Sequence, residues 1–202
     1  MDLFSFDHQY RSPGNRTIAG VDEAGRGPWA GPVVAAAVVL PAGTVINGLD
    51  DSKKLTPLQR SKVLTTIKTT ALAIGVEIVD QEVIDSVNIL QATYLAMRGA
   101  LKKISLPIDL VLVDGLPVPE LGFPQQAIIG GDAKSAAIAA ASVVAKVTRD
   151  ELMCQLSQHY PQYNFHKHKG YGTQEHQEAL LRYGPCPLHR KSFSPVRDLL
   201  KK

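Results

Sequence analysis

Short apolar runs separated by polar breaks dominate the first half of the chain. Thr17–Asp22 reads as a strand, and Val33–Leu40 is an apolar run too rich in valine to favour a helix. Pro28, Gly31 and Pro32 break the chain between them. Thr56-Pro57 is a helix start, a hydroxyl N-cap followed by proline at the first helical position, and the helix is predicted to run to about Thr70. Ala71–Val79 alternates as a third strand. Asp80 then opens a helical region in which Asn88 caps a second helix, with Ile89, Leu90, Thr93, Ala96, Met97 and Leu101 on its inner face. Leu110–Asp114 is an apolar run that ends in a carboxylate, the pattern of a buried strand with a functional residue at its C-terminal edge. Ala127–Ile129 is a further short strand. Ser135 to about Gln158 reads as one long helix. It is apolar nearly all round over Ala136–Val147, so it should be buried, and its alanines let it sit close against a sheet. A last helix is predicted at Gln174–Tyr183.

That order of elements predicts an α/β fold with a mixed sheet. Residues 1–16, with a turn at Ser12-Pro13-Gly14-Asn15, are expected to form a loose leader. Residues 17–158 are the expected core and 159–202 a C-terminal extension. A length of 202 residues with 45% hydrophobic content suits one globular domain with a real core. No apolar run approaches a membrane span, and the polar N-terminus, with Asp2 and Asp7, is not a signal-peptide pattern. The two cysteines, Cys154 and Cys186, form no CxxC and read as free thiols of a reducing compartment, so a cytoplasmic protein is expected. A formal net charge of only +3 leaves the local distribution of charge to indicate any polyanion.

Asp22, Glu23, Asp114 and Asp132 each end an apolar strand-like run and precede glycine or a turn. Strand ends on one edge of a sheet converge, so these carboxylates are candidates for a single crevice. Ordinary turn chemistry is the alternative for any one of them, and it is the reading kept for Asp109, Asp150 and Asp198. Four convergent carboxylates need cations. Two divalent ions ~3.5–4 Å apart would neutralise them and clamp an in-line phosphoryl displacement. Successive side chains of a strand point to opposite faces, so Asp22 and Glu23 share an ion only if the strand ends or bulges there, or if a backbone carbonyl helps. Gly25-Arg26-Gly27 follows at once, a cation between two glycines that permit close backbone approach to a partner. Ser52, Lys53 and Lys54 precede a helix and suit a phosphate backbone. Lys146 and Arg149 lie on the long helix, and Lys167, Lys169, Arg190 and Lys191 form a second basic region. Contacts of this kind position a duplex without reading its bases, and such binding weakens steeply with salt.

Several stretches resemble bacterial ribonuclease HII. They are Gly20-Val21-Asp22-Glu23-Ala24-Gly25-Arg26-Gly27-Pro28, Asp51-Ser52-Lys53-Lys54-Leu55, Val113-Asp114-Gly115, Gly131-Asp132 through Ala140–Asp150, His168-Lys169-Gly170-Tyr171-Gly172-Thr173 and His189–Phe193. They occur in order over about Ala19 to Val196. The resemblance implies an RNase H-like fold, a central five-stranded mixed sheet flanked by helices, with a helical C-terminal extension. It implies hydrolysis of the RNA strand of RNA–DNA hybrids and incision 5′ to single ribonucleotides in duplex DNA, with 3′-hydroxyl and 5′-phosphate products, as in ribonucleotide excision repair. Mg²⁺ or Mn²⁺, two ions in the catalytic complex, are the implied cofactors. Asp22, Glu23, Asp114 and Asp132 are the implied metal-binding carboxylates. Gly25, Arg26 and Gly27 would read the ribose 2′-hydroxyl through backbone groups, and Tyr171 would stack on the following deoxyribose. The 2′-hydroxyl is the group that separates RNA from DNA at a site. Gly130 stands where the family commonly has lysine, which bears on an auxiliary phosphate contact and not on Asp132. Two other readings are a ribonuclease HIII-like nuclease and a silent hybrid-binding module.

The histidines 159, 166, 168, 176 and 189 match no zinc-site spacing. His168 or His176 is expected to support the Tyr171 loop by hydrogen bonding, and Trp29 and Phe193 to be packing residues. The tail Asp198–Lys202 has no adjacent aromatic pair and no evident clamp-binding peptide. A monomer is expected.

Overall fold

The computed structural model describes residues 2–11 and 16–201. Five strands, β1 (Ile18–Ala24), β2 (Val33–Val39), β3 (Ala73–Val79), β4 (Leu110–Asp114) and β5 (Gln125–Ile128), form one sheet in the order β3-β2-β1-β4-β5. β1 to β3 pair antiparallel, while β4 runs parallel to β1 and β5 parallel to β4, so the sheet is mixed as expected. β1 lies at the centre. Val21 stands opposite Val113, which brings the next residues of the two strands, Asp22 and Asp114, to the same edge.

Alternate side chains along the strands enter different cores. Ala19, Val21, Ala35, Ala37, Val111 and Val113 pack against α3 (Gln81–Val87) and α4 (Ile89–Lys102). Ala36 and Val38 face α2 (Pro57–Thr70) and α5 (Ala136–His159). Thr56 caps α2 in a reciprocal box with Gln59, and Asn88 Oδ1 accepts the Gln91 N–H at 3.1 Å to start α4. The inner face of α4 carries Ala92, Thr93, Ala96, Met97, Ala100 and Leu101. Leu90, expected there, is 39% exposed because the buried stripe passes beside it. Ile129 is also outside its expected strand: β5 ends at Ile128, and Gly130 turns the chain in a left-handed conformation.

α5 lies closely on β1. A Cβ at Gly20 would come within 2.1 Å of the Ala137 carbonyl carbon, so only glycine permits this approach. The expected loose leader is in fact ordered where it is described. Leu3–Arg11 forms α1, Phe6 and Tyr10 pack by Ile18 and Leu112, and the buried Asp7 carboxylate accepts the Ala137 N–H at 2.8 Å. That contact satisfies an otherwise unpaired donor at the start of α5 and explains why the segment folds back. The turn expected at residues 12–15 lies outside the described residues.

Beyond α5 the chain forms α6 (Phe165–His168), α7 (Gln174–Tyr183) and α8 (Val196–Leu199). Tyr163, Phe165, Ala179 and Leu188 bury against Ala30 and Met153, which docks this region on the loop after β1 and the last turns of α5. No described helix is long and apolar enough to cross a membrane.

Candidate active site

Asp22, Asp114 and the 3₁₀ turn carrying Asp132 meet at the C-terminal edge of β1 and β4. One carboxylate oxygen from each of the three lies within 4.8 Å of the others. Asp114 is fixed by the Gly131 N–H at 2.7 Å, so the residue that precedes Asp132 also orients Asp114. Asp22 Oδ1 accepts the Glu23 N–H at 2.7 Å. Lys53 places its ammonium 2.8 Å from Asp132 Oδ2.

Glu23 stands beside this cluster rather than in it. β1 neither ends nor bulges at Asp22–Glu23. It continues in regular register with β2, with Glu23 opposite Ala35 and Ala24 opposite Val34. The Glu23 carboxylate lies outside the three-oxygen group, meeting Arg26 Nη1 at 3.4 Å, with Asp114 and Lys53 still within electrostatic reach. It remains near enough for its charge to act on Asp22.

The carboxyls are electrostatically loaded. Burial, with the charges of Glu23 and Asp114, pushes Asp22 well above the usual carboxylate range. Burial also raises Glu23 and Asp114, against the opposing effects of Arg26 and of the Gly131 N–H respectively. Burial pulls Lys53 down, but its hydrogen bond to Asp132 together with the charges of Asp132, Asp51 and Asp22 outweighs this and holds it above its ordinary value. Hard oxygen donors converging in a buried, like-charged group fit a divalent cation, which relieves the repulsion that burial intensifies.

The other expected contacts divide. Ser52 is buried and its hydroxyl shares a 2.8 Å hydrogen bond with Ser142, so it lies beneath the site and not on the face expected of a phosphate contact. Lys54 is exposed and pairs with Asp50 at 3.1 Å. Lys146 pairs with Asp150 at 2.8 Å and lies 5.7 Å from the centre of the Tyr171 ring. Lys146, Lys169 and Tyr171 line one groove of about 640 Å³ with Arg60 and Lys167. Arg149 and Arg190, expected on a basic surface, are both 0% exposed. Their guanidinium groups donate to backbone carbonyls, including those of Gly25, Arg26 and Lys169. The signal for Arg149 was present in the sequence: Ser142, Ala145, Arg149 and Met153 follow one helical stripe, and that stripe is buried. No comparable pattern marks Arg190.

The histidines support the Tyr171 loop, as expected of His168 or His176. His176 Nδ1 donates to the Tyr171 carbonyl at 2.9 Å, which leaves its Nε2 to accept from His189 Nε2 at 3.0 Å. His189 Nδ1 in turn accepts the Cys186 N–H at 3.0 Å. His168 donates from Nε2 to Tyr163 O and accepts the Gly170 N–H. Trp29 packs on His176, and a Cβ at Gly172 would fall 2.2 Å from the Trp29 ring.

This network needs neutral imidazoles. Burial lowers both His176 and His189 to about 4, with the neighbouring histidine charge adding to the effect at His189. The unfolded chain takes up these protons near pH ~6.5 and the folded chain does not. Stability is therefore full above that pH and is lost as pH falls toward 4. Thermal melting should show a falling midpoint between about pH 6.5 and about pH 4, with a shallower fall in His176→Gln, which lacks that titration.

The sequence over residues 19–196 matches the family model for ribonuclease HII. A ribonuclease HII of Endomicrobium trichonymphae is 52% identical over 202 residues, covering 100% of this chain and 96% of the relative. The chain belongs to the ribonuclease HII family. The crystal structure of ribonuclease H2 from Pyrococcus horikoshii OT3 is 27% identical, with a TM-score of 0.76 over 92% of this chain and 97% of that one. A Bst ribonuclease HIII solved in complex with Mn²⁺ is 18% identical with a TM-score of 0.75 over 95% of this chain and 71% of that one, and shares the fold. The architecture is thus the RNase H-like fold. As a ribonuclease HII family member, the protein is a metal-dependent endonuclease of the ribonuclease H type, a hydrolase acting on RNA–DNA hybrids.

Proposed function

We propose that this ribonuclease H also incises 5′ to single ribonucleotides embedded in duplex DNA, leaving 3′-hydroxyl and 5′-phosphate ends. The observation that carries this reading is the position of the Gly25–Gly27 loop between the carboxylates and Tyr171. Gly27 faces the tyrosine so directly that a Cβ added there would lie 3.9 Å from Tyr171 Cε1. A ribose lying on the loop meets backbone groups that sense its 2′-hydroxyl, and the next sugar meets the tyrosine face. Reader and carboxylates are then in fixed register, so the cut falls at one bond beside the RNA-to-DNA step.

Asp22, Asp114 and Asp132 are the proposed ligands of Mg²⁺ or Mn²⁺, with Glu23, within electrostatic reach of Asp22 and Asp114, as the proposed fourth carboxylate of a two-ion site. Ions bound there supply a nucleophilic water at neutral pH and offset charge on the departing 3′-oxygen. The chain's own groups position the substrate. Lys53, Lys54, Lys146 and Lys169 approach phosphates, and Arg26, exposed at the loop tip, reaches the adjacent backbone. In this division residues 17–158 cut, and the extension of residues 159–202 supplies Tyr171.

The test is a duplex carrying one ribonucleotide, incubated with Mg²⁺ or with EDTA, with the cut mapped beside an RNA-tract hybrid. Incision 5′ to the ribonucleotide that EDTA abolishes is expected. Cutting of the tract alone would indicate a ribonuclease HIII-like preference, and binding without cleavage a silent module. Tyr171→Ala should lose about 1–2 kcal/mol of transition-state stabilisation at the single ribonucleotide, roughly tenfold in kcat/KM, with a smaller loss on tracts. Equal losses on both substrates would contradict a junction role for Tyr171.

A further inference from the structure

Arg149 and Arg190 are the largest fully buried side chains of the protein, yet neither forms an ion pair among the described residues. Their seven hydrogen bonds all go to backbone carbonyls. Arg149 donates to Ala30, Pro32 and Lys169, and Arg190 to Gly25, Arg26, Gly31 and Pro32, at 2.6–3.2 Å. Burial, reinforced by the Arg149 charge, lowers Arg190 to about 9. Burying two like charges without a carboxylate is costly, and the carbonyls only partly offset it. Helix α5 and the 189–193 turn thus converge on a single short stretch of chain.

The carbonyls chosen have a geometric consequence. In a planar trans peptide the C=O and the following N–H point in opposite directions. Arg190 Nη2 holds the Gly25 carbonyl at 2.6 Å and Nη1 holds the Arg26 carbonyl at 2.9 Å. The N–H groups of Arg26 and Gly27 belong to those same two peptides, so they face away from the buried guanidinium, and Gly27 lies beside Tyr171, a Cβ added there falling 3.9 Å from Tyr171 Cε1. Gly25 has φ +100, and a Cβ on it would come 2.0 Å from Arg149 Nε, so the loop is packed directly on the guanidinium layer. Arg149 binds the Lys169 carbonyl and Trp29 N–H binds the Gly170 carbonyl, which ties the Tyr171 loop to the same layer. Asp85 secures the turn that carries Arg190, accepting the Lys191 N–H at 2.8 Å and the Ser192 N–H at 2.9 Å.

We infer that Arg190 is a positioning residue for ribose recognition: it orients the Arg26 and Gly27 N–H groups as a paired donor for the 2′-oxygen at a set separation from Tyr171. This rests on the proposed reading of the Gly25–Gly27 loop as the 2′-hydroxyl sensor. Arg190 touches no substrate. It acts through two peptide planes, so its loss should cost discrimination between ribose and deoxyribose and leave general duplex affinity in place.

The experiment measures equilibrium binding in Mg²⁺ with Asp114→Asn as the background, which keeps the duplex intact. Two duplexes of one sequence are compared, one with a single ribonucleotide and one all DNA. The parent is expected to prefer the ribonucleotide duplex. Adding Arg190→Lys should reduce that preference about tenfold while all-DNA affinity holds. Asp85→Asn, which loosens the turn without removing the guanidinium, should shift the preference the same way by a smaller factor. It decides the matter if Arg190→Lys does not fold. A parent without preference would overturn the sensor reading itself. A parent with preference that the folded Arg190→Lys protein retains, or, where that variant does not fold, that Asp85→Asn retains, would overturn the role of Arg190 alone, as would an equal loss of affinity for both duplexes.

Discussion

Asp114→Asn is expected to lower hybrid cleavage at least about 10³-fold, and Asp22→Asn to do the same, while both proteins remain folded. Each removes a charged oxygen from a group whose ligand atoms lie within 4.8 Å of one another. The stability of the variants distinguishes lost chemistry from lost structure. Burial and neighbouring carboxylates raise Asp22 in the folded protein. A carboxyl so raised favours folding below its ordinary pKa, and that stability is lost as pH rises through the folded value. Above its ordinary pKa the burial of Asp22 is therefore a strain on the metal-free fold. Asparagine can keep the acceptor for the Glu23 N–H and removes the charge. In EDTA, Asp22→Asn should melt no lower than the parent. Added Mg²⁺ or Mn²⁺ should raise the parent's midpoint and scarcely move the variant's, since an ion stabilises only the state that binds it. Near-normal turnover by either folded variant would remove the carboxylate site from the account.

Gly20→Ala is expected to destabilise the protein by about 3 kcal/mol or more, a large effect for one methyl group. The added carbon would meet the Ala137 carbonyl carbon at 2.1 Å and the Ile138 nitrogen at 2.3 Å. Both are backbone atoms of α5, so no rotamer change makes room. The helix must move off β1 by more than an ångström or β1 must bend. Either shift separates Asp22 from Ser142 of α5, whose hydroxyl hydrogen-bonds its carboxylate, and from the turn that carries Asp132. Denaturant melts would report the stability loss, and the surviving folded fraction should still cleave poorly. A normal midpoint would mean that helix and sheet are less closely seated than the distances require.

Much of this was legible in the sequence because local chemistry and global fold agree there. Thr56-Pro57 starts α2, Asn88 caps α4, and the all-round apolar stretch after Ser135 is the helix buried against the sheet. Asp22, Asp114 and Asp132 could be nominated because each ends a strand-like run, and parallel pairing of β1 with β4 brings two of them to one edge. What stayed hidden depended on contacts between distant segments. Ser52 looks like a loop hydroxyl until Ser142 comes to cover it. Arg190 looks like one more surface cation because its partners are backbone carbonyls, which carry no side-chain signature. The order in α1 was missed for the same reason, since its anchoring carboxylate bonds to a residue 130 positions away. β1 runs on to Ala24 without a bulge, so of the routes by which Asp22 and Glu23 could share one ion only help from a backbone carbonyl remains.

The span between Asp7 and Ala137 also sets a sequence of events for a chain made from its N-terminus. β1, β2 and β3 pair antiparallel and have all emerged well before α5 exists. α1, although synthesised before the strands, has no partner for its buried carboxylate until the polypeptide has grown past residue 137. A helix of nine residues is too short to persist alone in water. This segment, made before the strands, is thus among the last to settle, and it closes over the α5 start only after the strand ends and the Asp132 turn have been made.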